Sequence, residues 1–246
     1  MIEIIPAILP KNYEDLKNKI ALVRGFAHVA QIDICDGVYV KTATWPFLSR
    51  AESRDGMDFL ENDLDQHFRA ILNEQEGLPF WEDIDFELDL MVSNAMENFD
   101  VYAKLGPRRI IFHLGAQDVQ KDLEEFKNFL EGIDVYVRDV IEIGIGISPT
   151  MPVEQIFPLV NSADFVQVMG IDHEGVQGEE FDDRCLDHIK ILREKFSDLI
   201  ISVDGAVSFE TAPALISAGA NRLVIGSAIF NTDDIIGSIE EFRNIT

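Results

Sequence analysis

Residues 199–228, LIISVDGAVSFETAPALISAGANRLVIGSA, decide the fold. LIISVD (199–204) and RLVIGSA (222–228) are short, β-branched apolar runs, and FETAPALISAGA (209–220) between them spaces its apolar residues at helical intervals. Two such strands joined by a helix make a parallel βαβ unit. The same alternation runs back to the start of the chain. Further strands are expected at IEIIPAIL (2–9), HVAQIDI (28–34), DFELDLMV (85–92), RRIIFHL (108–114), VIEIGIGI (140–147) and DFVQVMG (164–170). Further helices are expected at YEDLKNKIALV (13–23), VQKDLEEFKNFLEGI (119–133) and CLDHIKILREKF (185–196). Eight repeats without a Pro/Gly/Ser-rich linker or a shift in composition predict an α/β fold, a single (β/α)8 barrel spanning 1–246. A doubly wound sheet is the alternative.

Composition limits what such a barrel does. The 246 residues are 47% hydrophobic, enough for a large core, which excludes collagen-like and disordered chains. Twenty Lys and Arg against 45 Asp and Glu give a formal charge of −25, which repels phosphate backbones and anionic lipid. Nucleic acid and membrane surfaces are therefore not expected partners. Two cysteines, Cys35 and Cys185, provide neither a disulfide framework nor a Cys-based zinc site. MIEIIPAILP has no basic stretch of a signal peptide and runs straight into a strand. No apolar run reaches the roughly 18 residues of a membrane span. A cytoplasmic location is expected, and a homo-oligomeric state is left open.

Residues 36–84 make the second strand-to-strand step nearly twice the usual length. They hold Tyr39, Trp45 and Phe47, the acidic GMDFLENDLDQ, a helical DLDQHFRAILNEQ and LPFW at 78–81. A lid or interface over the active-site face and extra packing on the barrel's flank are equally open readings.

Barrel strands alternate interior and helix-facing residues. If Ile32 and Ile34 face the helices, then Gln31, Asp33 and Cys35 face the axis; the same parity turns Glu87, Asp89 and Met91 inward. Asp204 closes its strand at the end where barrel enzymes place their chemistry. An inward carboxylate is costly without a metal, a donor or a proton, so Asp33, Asp89 and Asp204 are candidates for one site. Glu87 lies deeper and reads as structural. Glycines follow the last three strands: Gly175 and Gly178, Gly205 with Ala206, and Gly226 with Ser227. Backbone N–H groups there can close on a phosphate. Ala206 keeps its N–H, and its methyl is accommodated if φ is negative.

IIPAIL, QIDICDGVYV, LDLMV, IIFHLGA, VMGIDHEGVQGEEF and SVDGAVSFETAPALISAGANRLVIGSAIF resemble, almost end to end, the ribulose-phosphate 3-epimerase family of phosphate-binding barrels. The resemblance implies interconversion of ribulose 5-phosphate and xylulose 5-phosphate by two aspartates on opposite faces of the substrate, matched by Asp33 and Asp204, around a divalent metal. It places Met91, Met169 and Cys35 around the substrate and His113 at the end of strand four. The departures concentrate at the reacting end. Ala7 stands where the family has a substrate-contacting serine, and Gln31 and Asp89 stand where it has two metal-binding histidines. Ala206 replaces a glycine, and the sixth loop gains a residue around Asp172-His173-Glu174. A metal set of Gln31, Asp33, Asp89 and Asp204 presents oxygen alone, which selects magnesium or manganese over zinc or iron. The other outcome, slightly favoured, is an empty site with a shared proton.

The remaining candidates have plainer readings. His113 alone reads as a hydrogen-bonded wall residue, and His67 and His188 as surface positions on helices. His173-Glu174 is either a new acid/base pair or a solvated turn, without a zinc-protease spacing. Ser227 lacks the Gly-x-Ser-x-Gly context of a nucleophile. The expectation is an isomerase of carbohydrate metabolism acting on a small phosphorylated ketose by proton transfer beside a carbonyl. A noncatalytic phosphosugar-binding barrel, and a related barrel enzyme with a different reaction, are the alternatives.

Overall fold

The computed structural model describes residues 2–47, 65–114, 119–172, 175 and 178–245. Eight parallel strands close a barrel in chain order: β1 (Glu3–Ile8), β2 (Val29–Cys35), β3 (Asp85–Met91), β4 (Arg109–His113), β5 (Glu142–Ile147), β6 (Phe165–Met169), β7 (Ile200–Asp204) and β8 (Arg222–Ile225). Closure comes from β8 pairing with β1, Glu3 beside Arg222 and Pro6 beside Ile225. The doubly wound alternative is thereby excluded. Between the strands lie α1 (Tyr13–Val23), α2 (Gln66–Leu72), α3 (Phe99–Ala103), α4 (Val119–Gly132), α5 (Val135–Arg138), α6 (Arg184–Lys195) and α7 (Ala212–Ala218), and after β8 come α8 (Ser227–Phe230) and α9 (Ile235–Arg243).

Side-chain parity builds two apolar layers. Ile32, Ile34, Leu88, Leu90, Val166 and Val168 join the helices in one large cluster outside the strands. Ile5, Ala7, Val29 and Val224 form a separate small cluster of the opposite parity, inside the barrel. At the N-terminal end of the strands the interior is ionic. Arg109 Nη1 lies 3.0 Å from Glu87 Oε2 and its Nη2 3.1 Å from Glu3 Oε2, while Arg222 reaches Glu3 at 3.0 Å and Glu142 at 3.2 Å. Glu87 is the structural residue that its depth predicts.

Several boundaries differ from the sequence reading, each for a local reason. RLVIGSA stops being strand at Ile225, because Ser227 and Ala228 begin α8. The helix expected from 209 starts at Ala212. Thr211 Oγ1 accepts from the Ser208 N–H and donates to the Ala206 carbonyl, so this stretch is a hydroxyl-braced turn. The helix expected from 63 has its described part at Gln66–Leu72, capped by Asp65, whose carboxylate accepts from the His67 and Phe68 N–H groups. His188 is not a surface residue: with Cys185, Ile189 and Leu192 it forms the buried face of α6, and burial pushes its imidazole below the ordinary value. His67 is half-buried, stacked on Tyr13 at 3.8 Å and 3.1 Å from Glu76 Oε1.

The described parts of 36–84 pack mainly on the barrel's flank. Trp45, Phe47, Phe68, Ile71 and Leu78 belong to the main core, and Trp45 Nε1 donates to Asp65 Oδ1 at 2.9 Å. Most of the acidic GMDFLENDLDQ falls in 48–64, outside the described residues, as does the His173-Glu174 pair.

Candidate active site

The register of β2 against β3 sets Asp33 beside Asp89 and Cys35 beside Met91, and β6 against β7 sets Met169 beside Asp204. Above these strand ends opens a cavity of about 470 Å³. Asp33, Asp204, Met91 and Met169 line its floor with Ala7 and Leu9, and Gly175, Gly178, Gly205, Ala206, Gly226 and Ser227 line its other side. No Lys or Arg is among the described lining residues, so an anion there has backbone N–H groups and hydroxyls to bind it.

The glycine side is shaped by close backbone approach. A Cβ at Gly170 would stand 2.2 Å from the Gly205 carbonyl oxygen, and the Gly170 N–H donates to the Asp204 carbonyl at 2.6 Å. The loops after β6 and β7 therefore touch through main chain. Gly205 has φ +99° and Ala206 +51°. The negative φ that would accommodate the Ala206 methyl without strain is not found; the methyl is held in the left-handed region at a cost of about 1 kcal/mol. Across the mouth, a Cβ at Gly175 would come within 2.8 Å of Val40, and Tyr39 packs 6.2 Å from the His113 ring. Asp36 anchors this loop: its Oδ1 accepts from the Val38 and Tyr39 N–H groups and its Oδ2 from Ser93 N–H and hydroxyl.

The floor is a hydrogen-bonded set of carboxylates. Gln31 Nε2 donates to Asp33 Oδ1 and to Asp204 Oδ2, both at 2.7 Å. Asp89 is fully buried, with His113 Nε2 at 2.5 Å from Oδ1 and Gln167 Nε2 at 3.3 Å from Oδ2. Two unit charges about 5 Å apart repel by about 3 kcal/mol at an effective dielectric constant of 20, so donors between them matter. Burial first, then the charges of Asp204 and Asp89, holds the Asp33 carboxyl well above the ordinary carboxylate range. Burial, followed by Asp89, pushes Asp204 up to about 7. Burial likewise pushes the Cys35 thiol up, leaving it neutral beside Met91. Such a pair has the chemistry of one proton acceptor and one proton donor near neutral pH.

Two site expectations change here. Asp89 and His113 do not line the cavity; they pair with each other in its wall, and Gly146 makes room, since a Cβ there would meet the His113 ring at 2.8 Å. Gln31 turns its amide nitrogen, not its carbonyl, to the pair: Nε2 lies 2.7 Å from an oxygen of each, and when the two share one proton the other remains a bare acceptor that needs a donor. Asp33, Asp89 and Asp204 do each place an oxygen within 4.8 Å of the others, a spacing that can hold a divalent metal. As arranged, the Asp33–Asp204 pair does not suit one, because an amide nitrogen already spans it; a cation at Asp89 would share its oxygens with His113 and Gln167. Gln167 and Asp36 were missed in the sequence; Gln167 shares the inward parity of Met169 and was legible by it.

The family model described as the ribulose-phosphate 3 epimerase family matches residues 51–230. The cytoplasmic isoform of ribulose-phosphate 3-epimerase from Oryza sativa subsp. japonica is 32% identical over 187 residues, 72% of this chain and 77% of that one. Ribulose-phosphate 3-epimerase of Bacillus subtilis (strain 168) is 27% identical over 250 residues, 99% of each. Among solved structures, 3-hexulose-6-phosphate synthase from Salmonella typhimurium matches with a TM-score of 0.63 at 14% identity, covering 99% of this chain and 98% of that one, a likeness of fold. With the barrel, the paired aspartates and these matches together, the chain belongs to the ribulose-phosphate 3-epimerase family of isomerases.

Proposed function

We propose that the protein epimerises a pentulose phosphate at C3, interconverting ribulose 5-phosphate and xylulose 5-phosphate. The observation that carries this reading is the placement of Asp33 and Asp204 in one cavity opposite a glycine-rich cradle. In the proposed orientation the phosphate lies against the backbone of Gly178, Gly205, Ala206, Gly226 and Ser227, and C3 lies over the aspartates. One carboxylate removes the C3 proton, leaving an enediolate; the other, protonated, returns a proton to the opposite face. The first carboxyl then holds the proton it took, and the reverse reaction exchanges the roles. The upward displacement of both groups supports such sharing of one proton. Met91 and Met169 supply apolar walls that keep water from the enediolate.

The carboxylates carry this chemistry without a metal step. A cation entering the Asp33, Asp89, Asp204 cluster would meet oxygen ligands, for which magnesium or manganese is better suited than zinc or iron. We also read the whole chain, 1–246, as one barrel domain acting in the cytoplasm. Among the described residues no helix is long and apolar enough to cross a membrane.

Following conversion of ribulose 5-phosphate by the purified protein tests the reading, alongside calorimetric binding of the same sugar phosphate. Turnover with binding is expected. Binding without turnover would replace the epimerase with the noncatalytic phosphosugar-binding barrel, for which Ala7, lacking a hydroxyl on the cavity floor, already speaks.

A further inference from the structure

Gln31 is completely buried on β2, between Asp33 on its own strand and Asp204 from β7. Its Nε2 lies 2.7 Å from an oxygen of each. An amide nitrogen carries two N–H groups, so one side chain donates to both carboxylates at once. Turned the other way, its carbonyl could accept only from the one protonated carboxyl and would oppose the bare oxygen of the other. At the opposite end of the amide, Oε1 is buried and makes no hydrogen bond among the described residues, a cost that the two carboxylate contacts must outweigh.

We propose that Gln31 is a positioning residue whose amide ties Asp33 to Asp204, in the place a bridging divalent cation would otherwise take, so that proton transfer at this site is cation-independent. The inference rests on the epimerase reading for its catalytic consequence but not for its structural one. A cation held by these same two oxygens would have to displace the amide N–H groups that now occupy them. A neutral two-armed donor fixes the separation of the carboxylates and leaves their outer oxygens to the substrate. At Asp89 a cation would have to share the carboxylate with His113 and Gln167, which each already take a lone pair of one oxygen.

The unmodified protein provides the first test. After dialysis it should retain no stoichiometric magnesium, manganese, zinc or iron by elemental analysis, and calorimetric titration with manganese should show no site that Asp33→Asn or Asp204→Asn removes. Its C3 proton exchange with ribulose 5-phosphate should be unchanged by chelator. Gln31→Met, which keeps volume and removes both donors, should lower kcat at least ~10-fold while leaving KM within a few-fold, the mark of lost positioning rather than lost binding. A stoichiometric cation held by these aspartates, chelator-sensitive exchange, or an unaltered kcat in Gln31→Met would each overturn the proposal. Should Gln31→Met fail to fold, the metal analysis of the unmodified protein decides alone. Should the unmodified protein show no C3 exchange at all, the epimerase reading falls, and the metal analysis still decides whether the amide or a cation joins the two aspartates.

Discussion

Glu87 at the barrel floor should make stability fall as pH rises. Its side chain is 1% exposed; Oε2 accepts from Arg109 Nη1 at 3.0 Å, while Oε1 makes no hydrogen bond among the described residues. Burial outweighs the attraction of Arg109 and lifts the carboxyl from 4.5 to about 7. The folded state then binds more protons than the unfolded state between those values, so unfolding free energy drops as pH increases through the window and levels above about 7. At 1.36 kcal/mol per pH unit the full displacement is worth about 3 kcal/mol, of which about 2.5 is crossed between about pH 5 and pH 8. Glu87→Gln cannot titrate. Whatever it costs by weakening the Arg109 contact is the same at both pH values and cancels in the comparison. Urea unfolding of both proteins at the two pH values should therefore show the variant gaining about 2–3 kcal/mol on the wild type at the higher pH. An equal stability difference at both would refute the reasoning, by showing that Glu87 stays ionised throughout.

Asp33→Asn and Asp204→Asn should each lower kcat by at least ~10², with calorimetric binding of ribulose 5-phosphate retained, because an amide holds the geometry but exchanges no proton; near-normal turnover in either removes that residue from the proton path. Gly226→Asp should abolish sugar phosphate binding through bulk and like charge, and unchanged affinity would move the phosphate elsewhere. Ala206→Gly relieves a left-handed φ of +51°. Since glycine also gains freedom in the unfolded chain, thermal unfolding should show stability between unchanged and about 1 kcal/mol higher, and a clear loss would contradict the strain.

The barrel was legible because each strand repeats the same two-residue alternation and each helix the same apolar spacing. Register then followed: Asp33, Asp89 and Asp204 do come together. Parity could not say which of them reaches the cavity, since that depends on partners from distant strands. His113 and Gln167 draw Asp89 into the wall, and neither contact has a local signature. Gln31 shows the same limit: residue type identifies an acceptor oxygen and a donor NH2 on one amide, and only the two carboxyls facing it choose between them. His188 looked exposed because a polar residue on a helix usually is, whereas the α6 face it shares with Cys185 and Ile189 is buried. Residue type alone left the φ of Ala206 open; it lies at +51°, in the left-handed region that alanine ordinarily avoids, next to Gly205 at +99°.

Exchange of the C3 hydrogen with solvent tests the central claim most directly, since it reports proton removal whatever the position of the chemical equilibrium. Ribulose 5-phosphate incubated with the protein in deuterated water should acquire deuterium at C3, and xylulose 5-phosphate should appear with the same label. Retention of the C3 hydrogen over many equivalents of protein time, with the sugar phosphate demonstrably bound, would contradict the assignment of Asp33 and Asp204 as an acid/base pair.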